Sequence, residues 1–88
     1  MKLLVLYKPK SEYARMIEDY LTDLGRQYPS VNIEVLDAES IEGVSKSAIY
    51  DILDFPALVA VTEDGSVLNM WIGQMLPQKQ EVIGYLQS

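Results

Sequence analysis

Two unbroken apolar runs constrain the folding of this 88-residue chain more than any other feature of its sequence. The first run covers residues 3–7 and is ended by residues 8–10, Lys-Pro-Lys. The second covers residues 57–61 and is preceded by Pro56. A strand that is apolar at every position is typical of a sheet covered on both faces. We therefore predict two central strands with other elements packed above and below them.

Helical spacing of apolar residues follows the first run. Spacings of three and four residues place one apolar stripe on a helix that ends near Gln27. The stripe consists of Ala14, Ile17, Leu21, Leu24 and Tyr28. Ser11 is a good N-cap residue, and Glu12 follows it where a helix favours negative charge. We therefore expect Ser11 to cap this first helix, with Glu12 in its first turn.

The segment between the first helix and the second apolar run predicts one strand and one short helix. Residues 31–36 alternate between apolar and polar side chains, which indicates a strand at a sheet edge. Four apolar residues then mark a short second helix, namely Ile41, Val44, Ala48 and Ile52.

A hairpin and a last helix complete the chain. Residues 63–65, Glu-Asp-Gly, predict a tight turn into a fourth strand over residues 67–72. Pro77 suits the first turn of the last helix, whose inward residues we expect to be Val82, Ile83 and Leu86.

These elements follow one another in the order β-α-β-α-β-β-α within a single domain, residues 1–88. Strands joined by a helix are expected to run parallel, whereas the hairpin makes the last pair antiparallel. We therefore predict an α/β fold with a mixed four-stranded sheet and helices on both faces.

Composition excludes several classes of function. The chain contains no cysteine and no histidine, so the usual nucleophile pairs and zinc sites are absent and we expect no metal and no cofactor. A net charge of −6 disfavours nucleic acid as a partner. No apolar run approaches the roughly 20 residues that span a membrane, and residues 2–6 are too short for a secretory leader. A cytoplasmic location is the default expectation.

Three segments of the sequence resemble the thioredoxin superfamily. Residues 7–15, Tyr-Lys-Pro-Lys-Ser-Glu-Tyr-Ala-Arg, are similar to the glutaredoxin segment that carries Cys-x-x-Cys. Residues 49–57 are similar to the thioredoxin stretch that leads to a cis-proline, with Asp51 in place of a helix-ending glycine. Residues 63–65 and 71–73 are similar to the hairpin and closing glycine of the family. The order of the elements is also similar to the minimal thioredoxin/glutaredoxin core, and this resemblance covers essentially the whole chain.

The resemblance implies a thioredoxin-like fold without the redox chemistry of the family. It implies that the Phe55–Pro56 peptide bond is cis and that Ser11 and Ala14 occupy the two cysteine positions. Neither side chain forms a thiolate, which thiol–disulfide exchange requires. Val5 stands where thioredoxins have a buried aspartate. We therefore expect no oxidoreductase activity and interpret the protein as a non-enzyme.

The same resemblance implies a binding groove. In the thioredoxin fold, the strand edge beside the cis-proline receives extended peptides by backbone pairing, and this groove does not depend on the cysteines. Five residues are expected to line it, namely Tyr13, Phe55, Pro56, Ala57 and Met75. Our leading interpretation is a module that binds a protein or peptide partner in this groove.

A cluster of basic residues supports an alternative. Lys8, Lys10 and Arg15 are three of only seven basic residues, and all three lie near the start of the first helix. A helix N-terminus favours anions. With Ser11, these residues form a candidate site for a small anion or a glutathione-like ligand. The other interpretation of the cluster is a set of solvated side chains.

Two further observations bear on glutathione as a ligand. Glutaredoxins follow their last strand with Gly-Gly-x-Asp, whereas residues 73–76 here are Gly-Gln-Met-Leu. A third interpretation, a glutathione-transferase-like domain that uses Tyr7, is disfavoured because no helical second domain follows in this sequence.

Overall fold

The computed structural model describes residues 1–87, and Ser88, the last residue of the predicted domain, lies outside the described residues. Helices and strands follow one another in the predicted order. They are β1 (Lys2–Tyr7), α1 (Ala14–Gln27), β2 (Ile33–Asp37), α2 (Ile41–Ile49), β3 (Ala57–Val61), β4 (Val67–Ile72) and α3 (Lys79–Leu86). The predicted α/β class and the order β-α-β-α-β-β-α are confirmed.

The strands form one mixed sheet in the order β2-β1-β3-β4. β1 pairs with β2 in parallel, with Leu3 beside Ile33, so α1 makes the expected crossover between them. β1 pairs with β3 in the antiparallel direction, with Leu6 beside Ala57, and β3 pairs with β4 through the hairpin. The two apolar runs are therefore the central strands and β2 is an edge strand, as predicted.

The connection through α2 departs from the expectation that strands joined by a helix run parallel. β2 ends at Asp37 beside Tyr7, and β3 begins at Ala57 beside Leu6. Both junctions lie at the same end of the sheet, so β3 runs antiparallel to β2 and is separated from it by β1. The parallel expectation was wrong for this pair because α2 carries the chain across the sheet without returning it to the opposite end.

Helices cover both faces of the sheet, as predicted, and each face has its own apolar core. The α1/α3 face, against which α1 and α3 pack, contains Leu3, Val5, Tyr7, Ala14, Ile17, Leu24, Leu58, Val82 and Ile83. The α2 face, on the other side, contains the smaller cluster of Leu4, Leu6, Ile52, Ala57, Val59 and Val61. Alternate residues of β1 and β3 therefore serve opposite cores, which explains why both strands are apolar throughout.

α2 forms as predicted but turns its apolar residues away from the sheet. Three of the four residues that mark the helix are exposed, namely Ile41, Val44 and Ala48. The fourth, Ile52, lies beyond the end of the helix and is buried. The physical reason is a close approach at Gly43, where an added Cβ would lie 1.9 Å from the carbonyl oxygen of Asp37. Only glycine allows this contact, and the contact determines which side of α2 faces the sheet.

Small and polar residues make up the inward side of α2. The Ser40 hydroxyl caps the helix by accepting a hydrogen bond from the Gly43 amide at 2.9 Å. The Ser47 hydroxyl donates to the Gly43 carbonyl at 2.8 Å. Just after the helix, the Tyr50 hydroxyl donates to the carbonyl of Gly65 in the hairpin at 3.1 Å. The first two hydrogen bonds stabilise α2 itself, and the third joins the end of α2 to the hairpin.

The turns follow the sequence except at the start of α3. Asp51 has a φ of 56° and Gly65 a φ of 90°, as expected for the end of a helix and for a tight hairpin. α3 starts at Lys79, so the prediction that Pro77 lies in its first turn was wrong. The Pro77 carbonyl instead accepts a hydrogen bond from the Tyr20 hydroxyl at 2.7 Å, which ties the segment before α3 to α1.

Candidate functional site

The candidate site lies at the end of the sheet where β1 ends and β3 begins. Because Leu6 pairs with Ala57, Lys8 and Phe55 extend beyond the sheet from neighbouring strands. The ammonium nitrogen of Lys8 lies 5.6 Å from the centroid of the Phe55 ring. A cation over an aromatic ring at an exposed site is stabilised by about 0.5–1 kcal/mol. This contact joins a residue of the predicted anion site to a residue of the predicted groove.

Pro56 directly precedes β3 and is hydrogen-bonded to the segment that follows β4. The Phe55–Pro56 peptide bond is cis, and Pro56 itself is buried. Its carbonyl accepts a hydrogen bond from the Gly73 amide at 2.9 Å. Gly73 has a φ of 106°, a conformation that favours glycine. This bond holds the segment that contains Met75 close to Pro56.

The residues predicted to line the groove differ in the surface that they offer. Met75 is 94% exposed, whereas Tyr13 and Phe55 are half-buried. Ala57 is fully buried, and its strand pairs with a neighbour on each side. The prediction that Ala57 lines the groove was therefore wrong, because a residue of a central strand has no free edge. The accessible surface comes from Met75, Tyr13 and Phe55.

The backbone amide of Phe55 already has a hydrogen-bond partner. Its N–H donates to Oδ1 of Asp54 at 2.9 Å, and Asp54 is exposed. A peptide carbonyl that paired with this amide would therefore displace the Asp54 side chain. Sequence reasoning missed Asp54, although aspartate commonly bonds to the neighbouring backbone in turns.

The turn between β1 and α1 uses Ser11 differently from the prediction. The hydroxyl and the amide of Ser11 both donate to the Lys8 carbonyl, at 2.6 and 3.0 Å. α1 begins at Ala14 with Tyr13 as its N-cap residue, and Glu12 precedes the helix. The prediction that Ser11 caps α1 with Glu12 in the first turn was therefore wrong. The Ser11 side chain stabilises the turn that leaves β1.

Neither position that resembles a redox cysteine carries a reactive thiol. Ala14 is buried in the core of the α1/α3 face, and Ser11 is half-buried in the turn. Dithiol exchange needs a thiolate as nucleophile and a second thiol to resolve the mixed disulfide. The chain contains no cysteine at any position. This composition argues against thioredoxin redox activity.

The residues of the predicted anion site make separate contacts. Lys8 lies over the aromatic ring described above, and the Ser11 hydroxyl is directed to the Lys8 carbonyl. Nε of Arg15 lies 3.7 Å from Oδ1 of Asp19, an exposed pair one helical turn apart. Lys10 is exposed in the turn. The four predicted groups are therefore neighbours in the chain, but the contacts of Lys8, Ser11 and Arg15 direct them to different partners.

A tyrosine at the end of β1 pairs with a carboxylate on α1. The Tyr7 hydroxyl donates to Oε2 of Glu18 at 2.7 Å. This hydrogen bond, together with burial and the charge of Glu18, raises the pKa of the Tyr7 phenol above its ordinary value of 10.0. The neutral phenol is thus favoured over the phenolate. The glutathione-transferase-like interpretation, which needs an activated Tyr7, gains no support.

An open depression lies at the opposite end of the sheet. It is lined by Met1, Thr62, Glu63, Asp64, Ser66 and Leu86. The Thr62 hydroxyl donates to the Asp64 carboxylate and, with the Ser66 amide, lowers the pKa of that carboxyl. These hydrogen bonds belong to the hairpin turn itself. Within residues 1–87, no group of carboxylate side chains is arranged to hold a metal ion, and no helix is long and apolar enough to cross a membrane.

Comparisons with known proteins support the fold. The sequence matches no protein-family model and no curated protein. The structure is similar to Fasciola hepatica thioredoxin, with a TM-score of 0.77 and 19% identity over 97% of this chain and 79% of that chain. It is similar to a malarial protein, with a TM-score of 0.76 and 10% identity over 98% and 96% of the two chains. It is also similar to thioredoxin 1 from Thermosipho africanus TCF52B, with a TM-score of 0.71 and 17% identity over 99% and 91%. The predicted thioredoxin-like fold is confirmed.

Proposed function

We propose that this non-redox protein of thioredoxin-like fold binds an extended segment of a protein partner in the groove beside Pro56. The observation that carries the proposal is the apolar surface at that end of the sheet. Met75 is 94% exposed and follows Gly73, whose amide bonds to Pro56, and the half-buried Phe55 directly precedes Pro56. Covering these side chains with apolar groups of a partner would remove apolar area from water, which favours binding.

Backbone pairing at Phe55 is the proposed mode of binding. Extended peptides gain affinity from main-chain hydrogen bonds and specificity from alternate side chains. A peptide carbonyl would replace the Asp54 carboxylate as acceptor for the Phe55 amide. Because this hydrogen bond is exposed, the exchange of one acceptor for another changes the binding free energy little. Apolar contact with Met75 would then decide affinity.

Lys8 gives the groove a preference for acidic segments. Its ammonium group lies over the Phe55 ring and is exposed, although the chain carries a net charge of −6. A carboxylate of the partner placed beside Lys8 would pair with it at the rim of the groove. The proposed ligand is therefore an extended segment with an apolar residue flanked by a carboxylate.

The small-anion or glutathione-like alternative has less support. It requires Lys8, Lys10, Ser11 and Arg15 to act together. The Ser11 hydroxyl is directed to a backbone carbonyl and Arg15 pairs with Asp19, so their present contacts lead away from a common point. We therefore propose the groove, and binding of inorganic phosphate or glutathione is an outcome of its test.

Titration of isotope-labelled protein with short peptides, followed by NMR, tests the proposal. The probe is the capped peptide Glu-Val-Leu-Val-Glu, which is extended and acidic, and its control is Lys-Val-Leu-Val-Lys. We expect the acidic peptide to shift the resonances of Lys8, Phe55 and Met75, and to bind more tightly than the basic one. Inorganic phosphate and glutathione are titrated in parallel.

Two equally exposed residues provide a matched pair of variants. Met75→Ser should weaken binding of the acidic peptide several-fold, because it removes the most exposed apolar side chain of the proposed groove. Ile41→Ser removes a side chain that is 93% exposed on α2 and should leave binding unchanged. Equal effects of the two substitutions would contradict the proposal. Shifts confined to residues 8–15, produced by phosphate or glutathione alone, would replace it with the anion site.

A further inference from the structure

The outward side of α2 is an apolar surface without a partner among the described residues. We define the α2 outer surface as Ile41, Val44, Ala48 and Ile49. Ile41 is 93%, Val44 57% and Ile49 66% exposed, and Ala48 is also exposed. Single exposed apolar residues are ordinary on protein surfaces, but a contiguous group on one helix marks an interaction site.

The spacing of these residues is that of the apolar face of an amphipathic helix. Ile41, Val44 and Ala48 are separated by three and four residues, so their side chains form one stripe along α2, with Ile49 at its side. The close contact between Gly43 and the carbonyl of Asp37 fixes this stripe on the side away from the sheet. The stripe therefore cannot be buried by rotation of α2 within the fold.

Charge at the edge of the surface selects the kind of partner. Exposed carboxylates lie before the helix, in its first turn and just after its end, at Glu39, Glu42 and Asp51. Lys46, the basic residue of α2, is half-buried on the side that faces the sheet. A second copy of this chain would bring the same carboxylates and its own charge of −6 to the contact, and like charges disfavour association. A cationic partner is complementary.

We infer that the α2 outer surface docks an amphipathic helix of another protein, one whose apolar stripe is flanked by lysine or arginine. Helices pack through side chains at spacings of three and four residues, which the surface presents along the length of α2. The surface shares no residue with the groove beside Pro56. The protein would therefore contact partners through two independent surfaces.

A designed helix tests this inference without knowledge of the natural partner. The probe is a synthetic peptide of about 14 residues, composed of leucine and lysine with the leucines on one helical face. One control peptide has the same composition in scrambled order, and a second replaces lysine with glutamate. In titrations of the labelled full chain followed by NMR, we expect the amphipathic cationic peptide to shift residues 41–49. We expect both control peptides to bind at least about ten-fold more weakly.

Variants separate the apolar and the charged contributions. Ile41→Ser combined with Val44→Ser should weaken binding at least about ten-fold, because it removes most of the apolar area that the peptide would cover. Glu39→Gln combined with Glu42→Gln should weaken it several-fold and reduce its dependence on salt. Met75→Ser changes a residue of the proposed groove and should have no effect on binding of the helical peptide. Thermal unfolding followed by circular dichroism verifies that each variant is folded.

Three results would overturn the inference. The first is equal binding of the amphipathic and scrambled peptides, and the second is a set of shifts outside residues 41–49. The third is a dimer in sedimentation equilibrium that Ile41→Ser dissociates, which would make a second copy the occupant. None of these results bears on the peptide titration of the groove, so the two proposals stand or fall separately.

Discussion

The two faces of the sheet are covered by helices in opposite ways. On the α1/α3 face, α1 lays its apolar stripe against the sheet, and both Ile17 and Leu24 are fully buried. On the α2 face, α2 turns its apolar stripe to solvent and approaches the sheet with Gly43 and Ser47. The same helical spacing of apolar residues therefore marks a buried side in one helix and an exposed side in the other. Spacing identifies a stripe, but the space beneath the helix decides whether the stripe is buried.

The difference arises because the core of the α2 face is filled by residues outside α2. Ile52 is buried there, and Tyr50 and Phe55 pack against the same cluster. All three residues follow the helix in sequence. With this core already filled, α2 lies against the end of β2 through Gly43, and its apolar stripe stays exposed.

The largest expected effect separates the two faces with one residue type. Ile17→Ala should lower the free energy of unfolding by about 2–5 kcal/mol, because it leaves a cavity in the α1/α3 core. Ile41→Ala should change it by no more than about 0.5 kcal/mol, because the side chain is already in solvent. Urea unfolding monitored through the fluorescence of Trp71, the single tryptophan, measures both. A large loss for Ile41→Ala would mean that the stripe of α2 is buried after all.

The second effect tests why α2 faces as it does. Gly43→Ala should destabilise the protein by about 1–3 kcal/mol or more, because its methyl group would overlap the Asp37 carbonyl and push α2 away from β2. Gly84→Ala is the matched control, since an added Cβ there meets no atom within 4 Å. In a helix this control should gain up to about 1 kcal/mol. If both variants were equally stable, the close contact would not be what orients α2.

The fold was predictable because its strongest signals are local. The apolar runs at residues 3–7 and 57–61 and the turn at Gly65 each identify an element without reference to distant residues. The orientation of α2 was not predictable, because it depends on contact between Gly43 and a carbonyl in another element. The start of α1 was predicted wrongly for a related reason. A serine hydroxyl can accept from an amide of the helix that follows or donate to a carbonyl that precedes it, and the sequence does not reveal which. Ser11 donates to the Lys8 carbonyl.

The candidate site also combines features that the sequence predicts with features that depend on contacts between distant residues. The positions of Pro56 and Met75 follow from the family resemblance, which depends on chain order. The contact between Lys8 and Phe55 depends on the register of β1 against β3, which periodicity does not specify. The resemblance also placed Ala57 on the groove, but its side chain is buried in the core of the α2 face and its strand is paired on both sides.

A third prediction compares one tyrosine hydrogen bond on each face of the sheet. Tyr20→Phe removes the hydrogen bond to the Pro77 carbonyl on the α1/α3 face, and Tyr50→Phe removes the bond to the Gly65 carbonyl on the α2 face. Each should lower the free energy of unfolding by about 1 kcal/mol near neutral pH. The shorter bond, at 2.7 Å against 3.1 Å, should give the larger loss. A larger loss for Tyr50→Phe would mean that the tyrosine hydrogen bond contributes more to stability on the α2 face than on the α1/α3 face.

The stability of the Tyr20→Phe variant at alkaline pH provides a further test of the hydrogen bond on the α1/α3 face. Burial, with a contribution from Glu81, raises the pKa of Tyr20 from 10.0 to about 12. In the unfolded chain this phenol ionises near 10.0, so the folded state holds the extra proton and stability falls as the pH rises from 10.0 toward 12. The Tyr20→Phe variant lacks this loss, so its deficit relative to the unmodified protein should shrink over that range. A constant deficit would contradict the burial of the Tyr20 hydroxyl.

The smallest expected effect is at Asp54, whose carboxylate accepts from the Phe55 amide beside the proposed groove. Asp54→Ala releases the Phe55 amide from its present partner, so a peptide carbonyl would no longer have to displace the carboxylate. If backbone pairing at Phe55 contributes to binding, affinity for Glu-Val-Leu-Val-Glu should rise by about two- to ten-fold, the range of one net hydrogen bond. Asp54→Asn separates hydrogen bonding from charge, because its amide oxygen still accepts from the Phe55 amide although the negative charge is gone. We therefore expect Asn to raise affinity less than Ala, by isothermal titration calorimetry. Equal gains would assign the effect to charge, and binding would then depend on apolar contact with Met75 and on Lys8 without pairing at Phe55.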